Sequence, residues 1–176
     1  FNELEWGFDQ STQKKLYEGR TPDEIFTLES DFDAETLVNT LKNAGFKKLI
    51  VTAKHHDGFC IWNSSYTDYD IASTSYKNGE GDILAEISAA CTAANMDMGL
   101  YLSPWDVAES TFGSDGGSIN NAYNEYYNNQ LKEILSNPKY GNNGHFVEVW
   151  MDGANGYNNV PQTYNFEKWY ATIQKY

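Results

Sequence analysis

Hydrophobic positions along the chain fall into helical and extended patterns that alternate. Between Ala34 and Ala44 they recur at three and four, with Leu37, Val38 and Leu41 on one face, Asp31 or Asp33 placed to cap and Gly45 placed to stop the helix. Lys47 to Ala53 follows at once. Its run of Leu, Ile and Val lacks polar alternation and predicts a strand buried on both faces. Asp82 is placed to cap a second helix, with Ile83, Leu84, Ile87, Ala90, Cys91 and Ala94 on one face and a stop near Asn95, and Met96 to Ser103 reads as a second strand. Ser118 is a fair cap for a third helix reaching about Ser136, where Asn137-Pro138 ends it because the residue before proline disfavours the helical region. A third strand, Phe146 to Met151, precedes a helix that starts near Thr163. Polar stretches from Gln10 to Arg20, Asn63 to Gly81 and Asn155 to Gln162 read as loops.

The order α, β, α, β, α, β, α calls for a parallel sheet with helical crossovers. An open doubly wound sheet and a closed barrel share that pattern. Three features favour the barrel: no Gly-x-Gly-x-x-Gly follows a strand, no phosphate loop is present, and every strand ends in polar chemistry rather than one switch point. The fold class predicted is therefore α/β, a (β/α) TIM-like barrel. Three strands do not close an eight-stranded barrel, so residues 1–176 read as part of one catalytic barrel domain. Its cut sheet edges would be exposed unless another segment covers them.

Charge narrows the partners. Twelve Lys and Arg against 25 Asp and Glu give −13, a balance that repels phosphate backbones, so nucleic acid is not an expected partner. No apolar run approaches the roughly eighteen residues of a membrane span, and the opening Phe-Asn-Glu carries no signal peptide. Cys60 and Cys91 are too few for a disulfide scaffold and read as small buried thiols. Aromatic residues reach 15 %, with 13 Tyr, 9 Phe and 5 Trp; beyond filling a core, such rings stack on the apolar faces of sugars.

By the period of two, Glu148, Trp150 and Asp152 share one face of the third strand and Val147, Val149 and Met151 the other. The apolar face should pack on helices, leaving Asp152 at the mouth of a barrel; the bland alternative is that it caps the next turn. At the end of the first strand stand His55, His56 and Asp57. Adjacent histidines on an extended chain point to opposite sides, and no further ligand follows at zinc-like spacing, so neither a metal nor a cofactor is expected. A structural, hydrogen-bonded histidine is as good a reading of that stretch alone. Taken with Trp105 and Asp106, however, a strand-end carboxylate among histidines and tryptophans suits attack on an anomeric carbon.

Four motifs, in order along the chain, resemble those of the α-L-fucosidases of glycoside hydrolase family 29. They are Glu5-Trp6-Gly7; His55-His56-Asp57-Gly58-Phe59-Cys60-Ile61-Trp62 with Tyr66-Thr67-Asp68-Tyr69; Gly99 to Asp106; and Val149-Trp150-Met151-Asp152-Gly153-Ala154. The resemblance implies a retaining exo-hydrolase of terminal α-linked L-fucose on a (β/α) barrel. It implies that Asp152 is the nucleophile, that His55 and His56 hydrogen-bond fucose hydroxyls, and that Glu5, Trp6 and Trp150 contact sugar. Trp62 lies in the signature too, although core packing explains it equally well. The Ser103-Pro104-Trp105-Asp106 form resembles the branch that prefers α-1,3/1,4 fucose in branched oligosaccharides. The family's first strand, with a further sugar-binding histidine, would precede Phe1, and the glutamate acting as general acid/base would lie on later strands. Asp57, Asp106 and Glu148 are the nearby carboxylates, and none matches that role. Since losing a general acid costs about 10² to 10⁴ in rate, residues 1–176 alone are expected to be inactive or nearly so. The substrate class implies secretion or a cell-surface setting. Competing readings are another barrel glycosidase or transfucosylase, a fucose-binding module without turnover, and a metal hydrolase on His55, His56 and Asp57.

Overall fold

A computed structural model describes residues 21–26, 32–114, 118–152 and 162–176, together with the backbone of two short strands, β1 (Phe8–Asp9) and β2 (Lys14–Lys15), which pair antiparallel. The next elements are α1 (Pro22–Ile25), α2 (Ala34–Asn43), β3 (Lys48–Lys54), α3 (Ile83–Ala93), β4 (Asp97–Leu102), α4 (Ala122–Leu135), β5 (Glu148–Trp150) and α5 (Phe166–Lys175). Of the two possible caps for α2, Asp33 serves, accepting from the backbone N–H groups of Glu35 and Thr36. Those bonds, the Thr36 hydroxyl first among them, hold its carboxyl below the usual range.

The α2–β3 and α3–β4 connections use one device. At the end of α2 the N–H of Phe46 donates to Leu41 and that of Gly45 to Lys42; after α3 the N–H of Met96 donates to Cys91 and that of Asn95 to Thr92. These are Schellman turns, and they need a left-handed residue, supplied by Gly45 at φ 93° and by Asn95 at φ 50°. Each turn delivers the chain directly into a strand.

The sheet is parallel, in the order β3-β4-β5. Its register aligns Val51, Leu100 and Val149 on one face and Thr52, Tyr101 and Trp150 on the other. Val51 and Leu100 lie in a core with Leu84 and Ile87 of α3 and Leu131 and Ile134 of α4, and Val149 packs against it. The opposite face is open: Thr52 and Trp150 are exposed and Ile50 is half-buried. The strand predicted to be buried on both faces is thus covered on one, where α3 and α4 pack, and it is β4, central in the sheet, that is buried on both faces from Met98 to Leu102. This parallel α/β sheet is consistent with part of a barrel.

The third helix starts at Ala122, four residues beyond Ser118, because the side chain of Asn121 accepts the N–H of Asn124 and takes the cap. Its tyrosines reach the far end of β4: the Tyr127 hydroxyl donates to the Leu102 carbonyl and the Tyr123 hydroxyl to that of Pro104, both at 2.7 Å. Much of the aromatic content is therefore structural, Tyr123, Tyr127, Tyr140, Trp62 and Trp169 all being buried.

Candidate active site

The site forms where β3, β4 and β5 end. The register of β3 against β4 slips between Thr52 and Lys54, so that Lys54, not Ala53, is level with Leu102. This one extra residue carries Lys54 to the helix-covered side and brings His55 to the side of Tyr101. The chain then turns: the N–H of Gly58 donates to the His55 carbonyl at 3.1 Å, with Gly58 at φ 87°. Because the backbone is not extended there, the two histidines do not point apart. Their ring centroids are 4.0 Å apart, and the His55 ring lies 5.8 Å from that of Tyr101, nearly parallel to it.

His56 is buried between Ser103 and Trp105. Its Nδ1 is 2.7 Å from the Ser103 hydroxyl and its ring centroid 4.7 Å from Trp105. The Ser103 hydroxyl also bonds the Trp105 carbonyl at 2.8 Å and N–H at 3.1 Å, which ties the β4 end into a tight loop. Burial, reinforced by His55 and opposed by Asp152, lowers the pKa of His56 to about 4. At neutral pH its ring is uncharged and offers one donor and one acceptor.

Asp152 is exposed just beyond β5. The Tyr101 hydroxyl donates to its carboxylate at 3.4 Å, and Trp150 meets Tyr101 edge to face at 5.4 Å. Burial first, and the Asp152 charge second, push the Tyr101 phenol far above its usual range, so it remains a proton donor to that carboxylate. The structure therefore gathers His55, His56, Trp150 and Asp152. Tyr101 and Ser103 join them; sequence reasoning gave neither a role, although Tyr101 stands level with Trp150 in the sheet and Ser103 follows directly on the end of β4. Glu5, Trp6 and Gly153 lie outside the described residues.

Trp62 is elsewhere. It is fully buried in the core, and its indole N–H donates to Glu133 of α4 at 2.9 Å, a carboxylate that also accepts from the Ser64 hydroxyl and the Ser65 N–H. With no surface to offer a ligand, it is a core residue rather than a sugar contact. Trp62→Phe should lower stability by about 1 to 3 kcal/mol, seen in thermal or denaturant melts of the full-length protein, and leave KM unchanged. Of the other carboxylates, Glu148 pairs with Lys48 at the opposite end of the strands, and Asp106 is buried against Lys54 at 2.9 Å. Burial, then repulsion from Asp106, raises the pKa of Asp57 to about 7. Among the described residues, no three His, Cys, Asp or Glu side chains gather as a metal-ligand set.

A parallel α/β sheet whose strand ends bring together an exposed carboxylate, a phenol, a histidine pair and a tryptophan has the layout of a protein that binds small polar ligands at its sheet edge. The chain belongs to the alpha-L-fucosidase family, whose sequence model matches residues 6–176. Alpha-L-fucosidase 1 of Arabidopsis thaliana is 39 % identical over 172 residues, which cover 98 % of this chain and 32 % of the relative. Putative alpha-L-fucosidase 1 of Oryza sativa is 40 % identical over 146 residues, covering 83 % and 26 %. Among solved structures, a Ruminococcus gnavus GH29 fucosidase in complex with fucose is 64 % identical with a TM-score of 0.83, covering 91 % of this chain and 34 % of that one. The chain thus spans about a quarter to a third of the length of these relatives.

Proposed function

We propose that this chain forms part of the catalytic domain of a retaining α-L-fucosidase, an exo-acting hydrolase of terminal α-linked L-fucose on oligosaccharides or glycoconjugates. The observation that carries this reading is the exposed Asp152 carboxylate, hydrogen-bonded by Tyr101 beside the His55-His56 pair, in a chain of the alpha-L-fucosidase family. Residues 1–176 are read as one partial (β/α) barrel domain, with the Thr52, Tyr101 and Trp150 face turned toward the barrel interior. An extracellular or cell-surface setting belongs to the same proposal, because that is where such glycans are displayed.

In the first step a carboxylate oxygen of Asp152 bonds to the anomeric carbon as the glycosidic C–O bond breaks, and a general acid protonates the departing oxygen. In the second step water, deprotonated by the same group acting as base, displaces the Asp152 ester and releases fucose with retained configuration. Tyr101 orients the carboxylate and delocalises its charge before attack. Neutral His56 and its neighbour His55 supply donors and acceptors to ring hydroxyls, and Trp150 supplies an apolar surface. Glu5 and Trp6 are proposed as further sugar contacts. Glu148 and Asp106 are each occupied by a lysine and Asp57 matches no acid/base position of the family, so the acid/base is proposed to lie on later strands of the full-length protein, and the 176 residues alone are expected to turn over little or no substrate.

Exposure of the full-length protein to 2-deoxy-2-fluoro-fucosyl fluoride tests this. The expected result is a single covalent adduct mapped to the peptide containing Asp152. A folded protein that binds L-fucose and takes no label would instead be a fucose-binding module without this nucleophile.

A further inference from the structure

Beneath the histidines lies a buried charge pair that the chemistry above does not use. Lys54 and Asp106 are both inaccessible to solvent, with Lys54 Nζ 2.9 Å from Asp106 Oδ2 and 2.8 Å from Gln130 Oε1 of α4. The ammonium also sits 5.2 Å from the ring of Tyr126 and 5.3 Å from that of Tyr127. Enclosing two charges in a core costs more solvation than their attraction commonly returns, and apolar residues of similar volume often serve stability as well. Stability alone therefore accounts poorly for the pair. What it fixes geometrically is specific.

The free oxygen of the same carboxylate, Oδ1, accepts the N–H groups of Ala108 at 3.1 Å and Glu109 at 3.0 Å. One residue before those anchors the N–H of Val107 donates to the His56 carbonyl, and at the other end of the loop the N–H of Ser103 donates to the Lys54 carbonyl. Asp106 also lies against the turn that follows the histidines. A Cβ on Gly58 would stand 2.2 Å from Asp106 Oδ1, so the turn can approach this closely only because it has no side chain there. One carboxylate thus joins the end of β3, the His55–Gly58 turn and the Ser103–Glu109 loop, which carries the Ser103 and Trp105 contacts of His56.

We infer that the Lys54–Asp106 pair, seated on Gln130, is a positioning element that holds the histidine turn and the Ser103–Trp105 loop in register as one sugar-binding surface. The inference deepens the fucose-site reading and rests on it. Lys54 and Asp106 are positioning residues, acting on ligand only through His55, His56, Ser103 and Trp105.

The test compares two variants of the full-length protein. Asp106→Asn leaves the lysine buried without its counter-charge, whereas Lys54→Met/Asp106→Leu removes both charges and keeps the core filled. The single variant should melt lower, and the double variant should melt near the wild type. Both should bind L-fucose about 10- to 100-fold more weakly by calorimetry, the scale of loss that a displacement of about 1 Å produces. Both should also shift the His55 and His56 resonances in long-range ¹H–¹⁵N spectra of the imidazoles. A double variant with wild-type melting, wild-type fucose Kd and unmoved histidine resonances would make the pair purely structural and overturn the inference. Should either variant fail to fold, Asp106→Glu keeps the charge and lengthens only the carboxylate arm of the pair, outside the histidine turn; weaker fucose binding with moved resonances supports the role, and wild-type values refute it. Should the wild type itself not bind L-fucose, the site reading fails separately, and the histidine resonances alone decide the positioning role.

Discussion

Asp152→Asn in the full-length protein should reduce kcat/KM for an α-L-fucoside by about 10⁴ to 10⁶, the range seen when a covalent nucleophile or the group acting with it is removed from an otherwise intact site. L-Fucose itself should still bind within a few-fold of the wild-type Kd, because His55, His56 and Trp150 are untouched and the amide preserves the shape of the carboxylate. The Tyr101 hydroxyl can still donate to the amide oxygen, so the local hydrogen bond survives while the nucleophile is lost. Steady-state kinetics with an aryl fucoside, paired with calorimetry on fucose, separates these effects. A loss below about tenfold, with binding intact, would return Asp152 to the bland role of capping the turn after β5.

The second large effect concerns pH and stability, and it comes from two neighbours whose burial works in opposite directions. His56 has its pKa lowered to about 4 in the folded protein, from an ordinary value of 6.5. The native state therefore binds fewer protons than the unfolded chain between those values, and the stability associated with a neutral His56 is present above about pH 6.5 and lost as pH falls toward 4. Asp57 is raised to about 7 from 3.8, so its protonated form favours the native state at low pH, and that stability is lost as pH rises through 7. Each contribution is on the order of 3 kcal/mol, and between about pH 4 and 6.5 they offset one another. Asp57→Asn should therefore leave a protein that becomes steeply acid-labile below pH 6.5 yet is more stable than the wild type at pH 8. His56→Gln should do the reverse and gain stability as pH falls from 7 to 4. Denaturant melts across pH 4 to 8 decide the matter; parallel profiles for all three proteins would mean that neither group is titrated by its burial.

Helices and strands were legible where one residue does one job. Asp33 and Asp82 cap, Gly45 and Asn95 stop, and the apolar run of β3 is a strand, each from chemistry that acts within four residues. What the pattern could not give was which of several candidates wins. Ser118 and Asn121 are both able to cap, and only the packed position of α4 selects Asn121. Within the site, Asp152 and Trp150 follow from simple alternation, and the structure places them together. The convergence of His55 and His56 did not follow, because it depends on a turn at Gly58 and a slipped register in β3 that alternation treats as absent. Lys54, followed by two histidines, looks like part of a polar strand end. Its burial is set by Asp106 and Gln130, 52 and 76 residues away, and nothing local announces them. Trp62 was misleading for a related reason: a tryptophan inside a functional signature is held there by Glu133, 71 residues on, and serves the core.

The slipped register in β3 has a consequence for how this segment tolerates change. Because Ala53 is the extra residue, deleting it would restore plain alternation and leave Lys54 level with Leu102, whereas a regular strand that kept Ala53 opposite Leu102 would put the Lys54 ammonium on the ligand side and turn His55 toward the hydrophobic interior. What a change of length costs here therefore depends on whether it disturbs the level of Lys54 with Leu102, since that level is what keeps a cation off the side that carries His55.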